Sequence, residues 1–452
     1  MPPRPKRPLS TAQLLRVALS NTLAACDEAL FEELIVERQF VWGRFFSISD
    51  PAGIRRVMQD NVDNYPRIAP IRRVFAFTAG TGMLAAEGEV WRRHRRLLNP
   101  TLDHRAVLAD LPVLVQLSVT LAELLAELPR QQELNIGETF THLITAATGR
   151  IFAADNRDID PVLYRLGQYP GRYSLFDFVA MPRRLRVVAG SRRGRIEVAD
   201  FLPLIDRLIA ERRNPAYHGA EDLLWRMANA GGRRSGDGLS DAELRDEALT
   251  LGATAATPLR VFPWIWYLLA LHPAAEARVH GELDNVLGGR PPTAEDLPKL
   301  FYLRRVIDET LRLYPPAPTM LRRTLADDVV CGRPVPRKSI VGVLPWVVHR
   351  HRRLWRDPDG FDPDRFNPEE TAARSRYAYV PFAIGPHVCI GASLALVEIM
   401  VAMAVCAQRF RFRLVPGQRI EPIGWTNLHP KGGIRMTVEP RTGAAPAAQR
   451  RQ

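Results

Sequence analysis

The segment Phe382-Ala-Ile-Gly385-Pro-His387-Val-Cys389-Ile-Gly391 has the residue types that do chemistry. A cysteine lies in a glycine-bracketed loop that opens a helix-like run, Ala392 to Val405. The N–H groups at a helix start favour an anion, so Cys389 is expected to sit as thiolate. Gly385 permits a turn with positive φ. Gly391 has no Cβ, which lets something flat and bulky lie against the helix start. A thiolate held this way serves as a nucleophile or as a metal ligand. Elsewhere, Glu309 and Arg312 stand three apart and share one helix face.

The elements that must position these residues are mostly helical. Apolar residues recur at helical spacing over Val107–Leu128, Val198–Ile209 and Leu244–Leu271. Trp264 to Leu269 is apolar all round and reads as deeply buried. Strand signals are few: Phe45–Ile48, Val329–Pro336, Ser339–Val343, Phe412–Leu414 and Ile434–Val438. Prolines punctuate a long irregular stretch between about 350 and 385, and such a loop is usually functional. The expected class is mainly α, one large helical domain over 1–440 with a small β-rich region. Residues 1–40 form an N-terminal extension with the first helix, and 441–452 read as a disordered tail.

Composition narrows the function. The 452 residues carry 62 Lys+Arg against 49 Asp+Glu, but the signs are interleaved and no nucleic-acid motif is present. Nucleic acid is therefore not an expected partner. Four cysteines without C-x-x-C spacing give no disulfide framework and fit a reducing, cytoplasmic location. No segment reads as a membrane span, so a soluble protein is expected.

The cysteine loop resembles the haem-binding signature of cytochrome P450, F-x-x-G-x-[RH]-x-C-x-G, at every fixed position. Three further motifs follow the family order: Trp91-Arg-Arg-His-Arg95, Glu309-Thr-Leu-Arg312 and Phe361-Asp-Pro-Asp-Arg365-Phe366. The resemblance spans roughly residues 40–440 and implies a P450 fold, haem b and a soluble, bacterial-type monooxygenase. It makes Cys389 the iron ligand, with Phe382, His387 and Gly391 around the cofactor. It gives the haem propionates Trp91, Arg95 and Arg322, with Arg323 as the one-residue-shifted alternative. Glu309, Arg312 and Arg365 would clamp the irregular stretch beneath the haem. In this family a thiolate ligand pushes electron density onto iron and favours O–O cleavage. Electrons would come from NAD(P)H through separate proteins, a ferredoxin or flavodoxin with its reductase. Arg92, Arg93 and Arg96 are either a solvated charged face or the dock for that acidic donor. A monomer is expected.

The distal segment departs from the family pattern A-G-x-[DE]-T. Here it reads Leu251-Gly-Ala253-Thr254-Ala255-Ala256-Thr257-Pro258, with no carboxylate in either alignment frame. Thr257 and Thr254 are the catalytic candidates, and Pro258 should kink the helix. Three activities fit: a monooxygenase with an altered proton relay; a peroxide-dependent or isomerase/dehydratase-type enzyme; and a non-catalytic haem-thiolate binder. Candidates for a hydrophobic small-molecule pocket are Ile71, Phe75, Phe77, Ala253, Pro318, Met320, Leu321 and Trp425.

Overall fold

A computed structural model describes residues 2, 4–18, 20–41, 43–129, 131–154, 156, 158–161, 163, 201–231, 238–255, 257–424 and 426–441. The helices that matter here are α1 (Ala69–Ala79), α2 (Gly88–Leu98), α3 (Leu111–Ala126), α4 (Ile136–Phe152), α5 (Leu202–Arg213) and α6 (Asp241–Ala255). They are followed by α7 (Phe262–Leu271), α8 (Pro273–Leu287), α9 (Phe301–Leu313) and α10 (Ala392–Arg409). α3 lies along α10, and α7 sits between α4, α8 and α9. α7 is apolar on every face, so it fills the centre: Trp264 stacks on Tyr314 at 3.9 Å and Phe262 on Phe140 at 4.5 Å.

The β structure is peripheral. One sheet has the order β1 (Ile35–Phe40), β2 (Gly43–Ile48), β7 (Ile340–Val343), β4 (Met320–Arg323). β2 pairs with β7 in parallel and β4 with β7 antiparallel, with Arg322 opposite Val341. Strand alternation then buries Arg322 and exposes Arg323. A second sheet joins β3 (Leu134–Asn135), β11 (Arg435–Pro440) and β8 (Phe410–Leu414). Hairpins β5 (Asp328–Val330) with β6 (Arg333–Val335), and β9 (Pro422–Gly424) with β10 (Leu428–Pro430), complete it.

Several sequence expectations change. Val107–Leu128 is not one helix; it breaks at Asp110, because Pro112 has no N–H to continue the preceding ladder. Leu244–Leu271 is not a kinked helix but α6, a 3₁₀ turn at Pro258–Arg260, and α7. The helix expected at Val198–Ile209 runs Leu202–Arg213, and residues 198–200 lie outside the described residues. Val329–Pro336 is two strands turning through Cys331 and Gly332, both at positive φ. Arg441 donates to Asp284 and to the carbonyls of Ala407 and Gln408, so it is fastened to the body; 442–452 lie outside the described residues. The extension is fastened too: Asn21 Nδ2 donates to Pro422 O and Thr22 Oγ1 to Gly424 O.

Candidate functional site

The Cys389 loop is built by its glycine. Gly385 has φ +73°, and a Cβ there would meet the Met58 carbonyl oxygen at 2.1 Å, so only glycine fits. The Cys389 N–H donates to Phe382 O at 2.8 Å, which folds the loop back on itself. Arg95 Nη1 donates to Val388 O at 2.7 Å and ties α2 to the loop. Cys389 lies deep in the protein yet carries accessible surface, so its thiol faces a hollow. A Cβ on Gly391 would meet nothing within 4 Å, so the helix start lies open to the same space. Burial pushes the Cys389 thiol up, and the Gly391 N–H and Arg95 offset this only in part. The helix start alone therefore does not ionise it, contrary to the sequence expectation; coordination to a metal ion would.

Cations converge beside the loop. Arg322 is buried, and its hydrogen bond is to its neighbour's carbonyl, Leu321 O, at 3.2 Å. Burial lowers it to about 10, with Arg67 adding repulsion. Trp91 stacks on His387 at 3.9 Å, and His387 Nδ1 accepts from Arg67 at 3.0 Å. Burial and the surrounding Arg67, Arg322 and Arg95 hold His387 down at about 3, so the ring is neutral. Glu87, bonded to Arg67 at 3.2 Å, leaves the other guanidiniums unmatched. Anionic groups, such as the two propionates of a haem, fit this cradle. Among the described residues no cluster of three or more His, Cys, Asp or Glu could hold a metal by itself.

The clamp is fully buried. Arg312 binds Glu309 through two bonds of 2.6 and 2.7 Å. Its remaining donors reach the carbonyls of His349, Pro358 and Gly360. Glu309 also accepts the Asp362 N–H at 2.9 Å, and Arg365 Nε stands 3.5 Å away. Arg365 in turn donates to the carbonyls of Arg356 and Asp357. The three side chains thus fix the irregular stretch after His349.

In α6, Thr254 Oγ1 donates back to Thr250 O at 2.9 Å. Thr257 lies at the helix break, its N–H on Thr254 O, the carbonyl that Pro258 cannot engage. Ala256 lies outside the described residues. α1, with half-buried Ile71 and Phe75, packs on α6, which carries Ala253; the Phe77 side chain and Trp425 lie outside what is described. Pro318, Met320 and Leu321 lead into Arg322, and Pro318 meets the β9 hairpin at Gly424.

The basic helix face is partly spent. Arg93 pairs with Glu243 at 2.7 Å, and Arg92 with Asp63 and Glu89 at 2.5 Å; Arg96 is exposed. Sequence reading missed Arg67, His94 and His349. His349 Nε2 accepts from Val380 N and its Nδ1 meets Arg312 O, bridging α9 to the cysteine loop's approach. No local spacing signals these residues, because each partner is far away in the chain.

The sequence profile of the family described as Cytochrome P450 matches residues 3–437. The chain belongs to the cytochrome P450 family. Cyclooctatin synthase of Streptomyces melanosporofaciens is 32% identical over 391 residues, covering 84% of this chain and 83% of that one. Cyclooctat-9-en-7-ol 5-monooxygenase of the same organism is 40% identical over 254 residues, 56% and 55% of the two chains. The crystal structure of cytochrome P450DA heme domain shares the fold at a TM-score of 0.79 and 22% identity, covering 98% of each chain. The protein is thus a haem-thiolate monooxygenase of P450 fold, mainly α with small sheets. Its family uses haem iron, hydrophobic substrates and redox partner proteins. The described helix long and apolar enough to cross a membrane, α10, is mostly buried in the protein.

Proposed function

We propose that residues 1–440 form one haem b domain that inserts an oxygen atom into a hydrophobic small molecule, with Cys389 as the iron ligand. The observation that carries this is the accessible thiol in a deep hollow beside two carboxylate-poor cations, buried Arg322 and half-buried Arg95. When bound, haem supplies reductive activation of O₂. Arg322 and Arg95, with Trp91 and His387 packed between them, would hold the propionates. Phe382 and Gly391 shape the cysteine side. Glu309, Arg312 and Arg365 keep the loop rigid, and Ala253, Ile71, Phe75, Phe77, Pro318, Met320, Leu321 and Trp425 would shape an apolar pocket. The name of the relative acting on cyclooctat-9-en-7-ol supports an apolar, alkene-bearing substrate. Electrons would come from NAD(P)H through a ferredoxin or flavodoxin-type donor. Four free cysteines support a reducing, cytoplasmic location.

Thr254 hydroxyl is committed to the backbone of α6, so Thr257 at the break is the better placed of the two to order a proton-carrying water. The broken helix and the missing acid favour a second reading, a peroxide-dependent enzyme. A reduced-CO difference spectrum tests the site. Cys389→Ala should abolish the thiolate signature, and Cys331→Ala and Cys406→Ala should keep it. A normal spectrum from Cys389→Ala would sink the proposal. Turnover with peroxide but none with reductase selects the second reading.

A further inference from the structure

A buried chain of titratable groups enters the protein between α2 and α6. Glu243 stands at the surface end, half-exposed, held down to about 2 by Arg93 and by its cap on Ser240. His94 is fully buried, with Nε2 at 3.3 Å from Glu243 Oε1 and Nδ1 at 2.7 Å from Glu247 Oε1. Glu247 is fully buried as well. Its Oε1 also accepts the Met83 N–H at 2.8 Å, while Oε2 has no partner. Burial raises Glu247, and His94 only partly offsets this; burial lowers His94, but the two glutamates more than offset it. Both shifts favour the protonated form of each partner.

A buried oxygen with no partner calls for a water or for a proton of its own. Oε2 of Glu247 meets either need. Thr254 follows Glu247 by seven residues, two turns on the same face of α6, about 10 Å along the axis. A short file of waters would have to span such a gap. The same helix lacks a carboxylate in its distal motif, so O₂ reduction, which consumes two protons, has no local acid.

We propose that Glu243, His94 and Glu247 are a proton inlet that feeds Thr254 and Thr257, at the distal end of α6 and the break after it, in place of the missing acid, an inference that rests on the haem-monooxygenase reading. In one passage a proton arrives at His94 Nε2, the Nδ1 proton passes to Glu247 Oε1, and the proton on Oε2 leaves inward; the imidazole tautomer and the carboxyl must then reset before the next. One proton enters and one leaves, and no electron moves. The three are relay residues and touch neither substrate nor cofactor.

The test compares native protein with Glu247→Gln, which keeps the shape and the bond from Met83. Haem content and the reduced-CO spectrum come first. Infrared spectra should show a protonated carboxyl band that is absent from Glu247→Gln. Product formed per reduced cofactor consumed should fall at least about tenfold, with peroxide released instead. Peroxide-driven turnover, which brings its own protons, should stay within about twofold. A structural role would depress both activities together. Unchanged coupling in Glu247→Gln with a normal spectrum overturns the inlet and leaves the monooxygenase reading intact. A native protein without the thiolate spectrum overturns that reading instead. If Glu247→Gln loses haem, His94→Gln repeats the comparison; loss of haem in both variants assigns the pair to structure and overturns the inlet.

Discussion

Glu309 and Arg312 are each buried with no exposure, and each is intelligible only with the other present. Removing Arg312 leaves a buried carboxylate short of its cation and frees three carbonyls, a cost on the order of 3–5 kcal/mol. Arg312→Ala and Glu309→Ala should therefore purify with little or no haem, read as the haem-to-protein absorbance ratio. Arg312→Lys should not rescue, because a single ammonium cannot serve two carboxylate oxygens and three carbonyls. Full haem loading in Glu309→Ala would refute the clamp. At this scale the cysteine loop and the E-x-x-R pair were legible, since their residues stand within ten and three positions of each other. Arg67, His94 and His349 were not. Arg67 meets His387 across 320 positions and His94 meets Glu247 across 153, and no local periodicity encodes such partners.

Elements show what periodicity carries and where it stops. Helical spacing located most of α3 and α6, but Pro112 and Pro258 each cut a run that apolar spacing alone joins. Strand alternation buries Arg322 and exposes Arg323, because β4 pairs with β7. β4 itself carries two arginines in four residues and gives no apolar signal. α10 carries a carboxyl inside the core. Glu398 is buried there, Oε1 has no partner, and burial pushes it up to about 8. In the unfolded chain this carboxyl ionises above about 4.5, while in the fold it stays protonated until about 8. Its contribution therefore falls as pH rises through that window, by roughly 3 kcal/mol at pH 7. Glu398→Gln should raise the urea midpoint at pH 7–8 and leave it nearly unchanged at pH 4.5. A lower midpoint at pH 8 would show that the carboxylate has a partner.

For the whole molecule, sequence foretold a helical body with marginal strands, but not how distant segments close it. β3 near residue 134 pairs with β11 near 436, and the first forty residues reach the β9 hairpin. Loop closure over such separations leaves no local trace. At this seam His280, on α8, is buried with Nδ1 lacking a partner. Arg441, Arg411 and Arg413 face it, and Asp284 opposes them. Burial first, then these guanidiniums, lower His280 to about 4. The unfolded chain takes up its proton near pH 6.5, and the folded chain does so only near 4. Stability from this group is complete above pH 6.5 and is lost as pH falls through the window, by about 2 kcal/mol at pH 5. His280→Gln removes the titration without opening a large cavity. Urea midpoints at pH 7 and pH 5 should drop further for the native protein than for His280→Gln, and the difference between the two drops isolates this histidine from every other titrating group. Equal drops would mean that His280 gains its proton in the fold as readily as in the open chain, so that the seam must loosen to admit it.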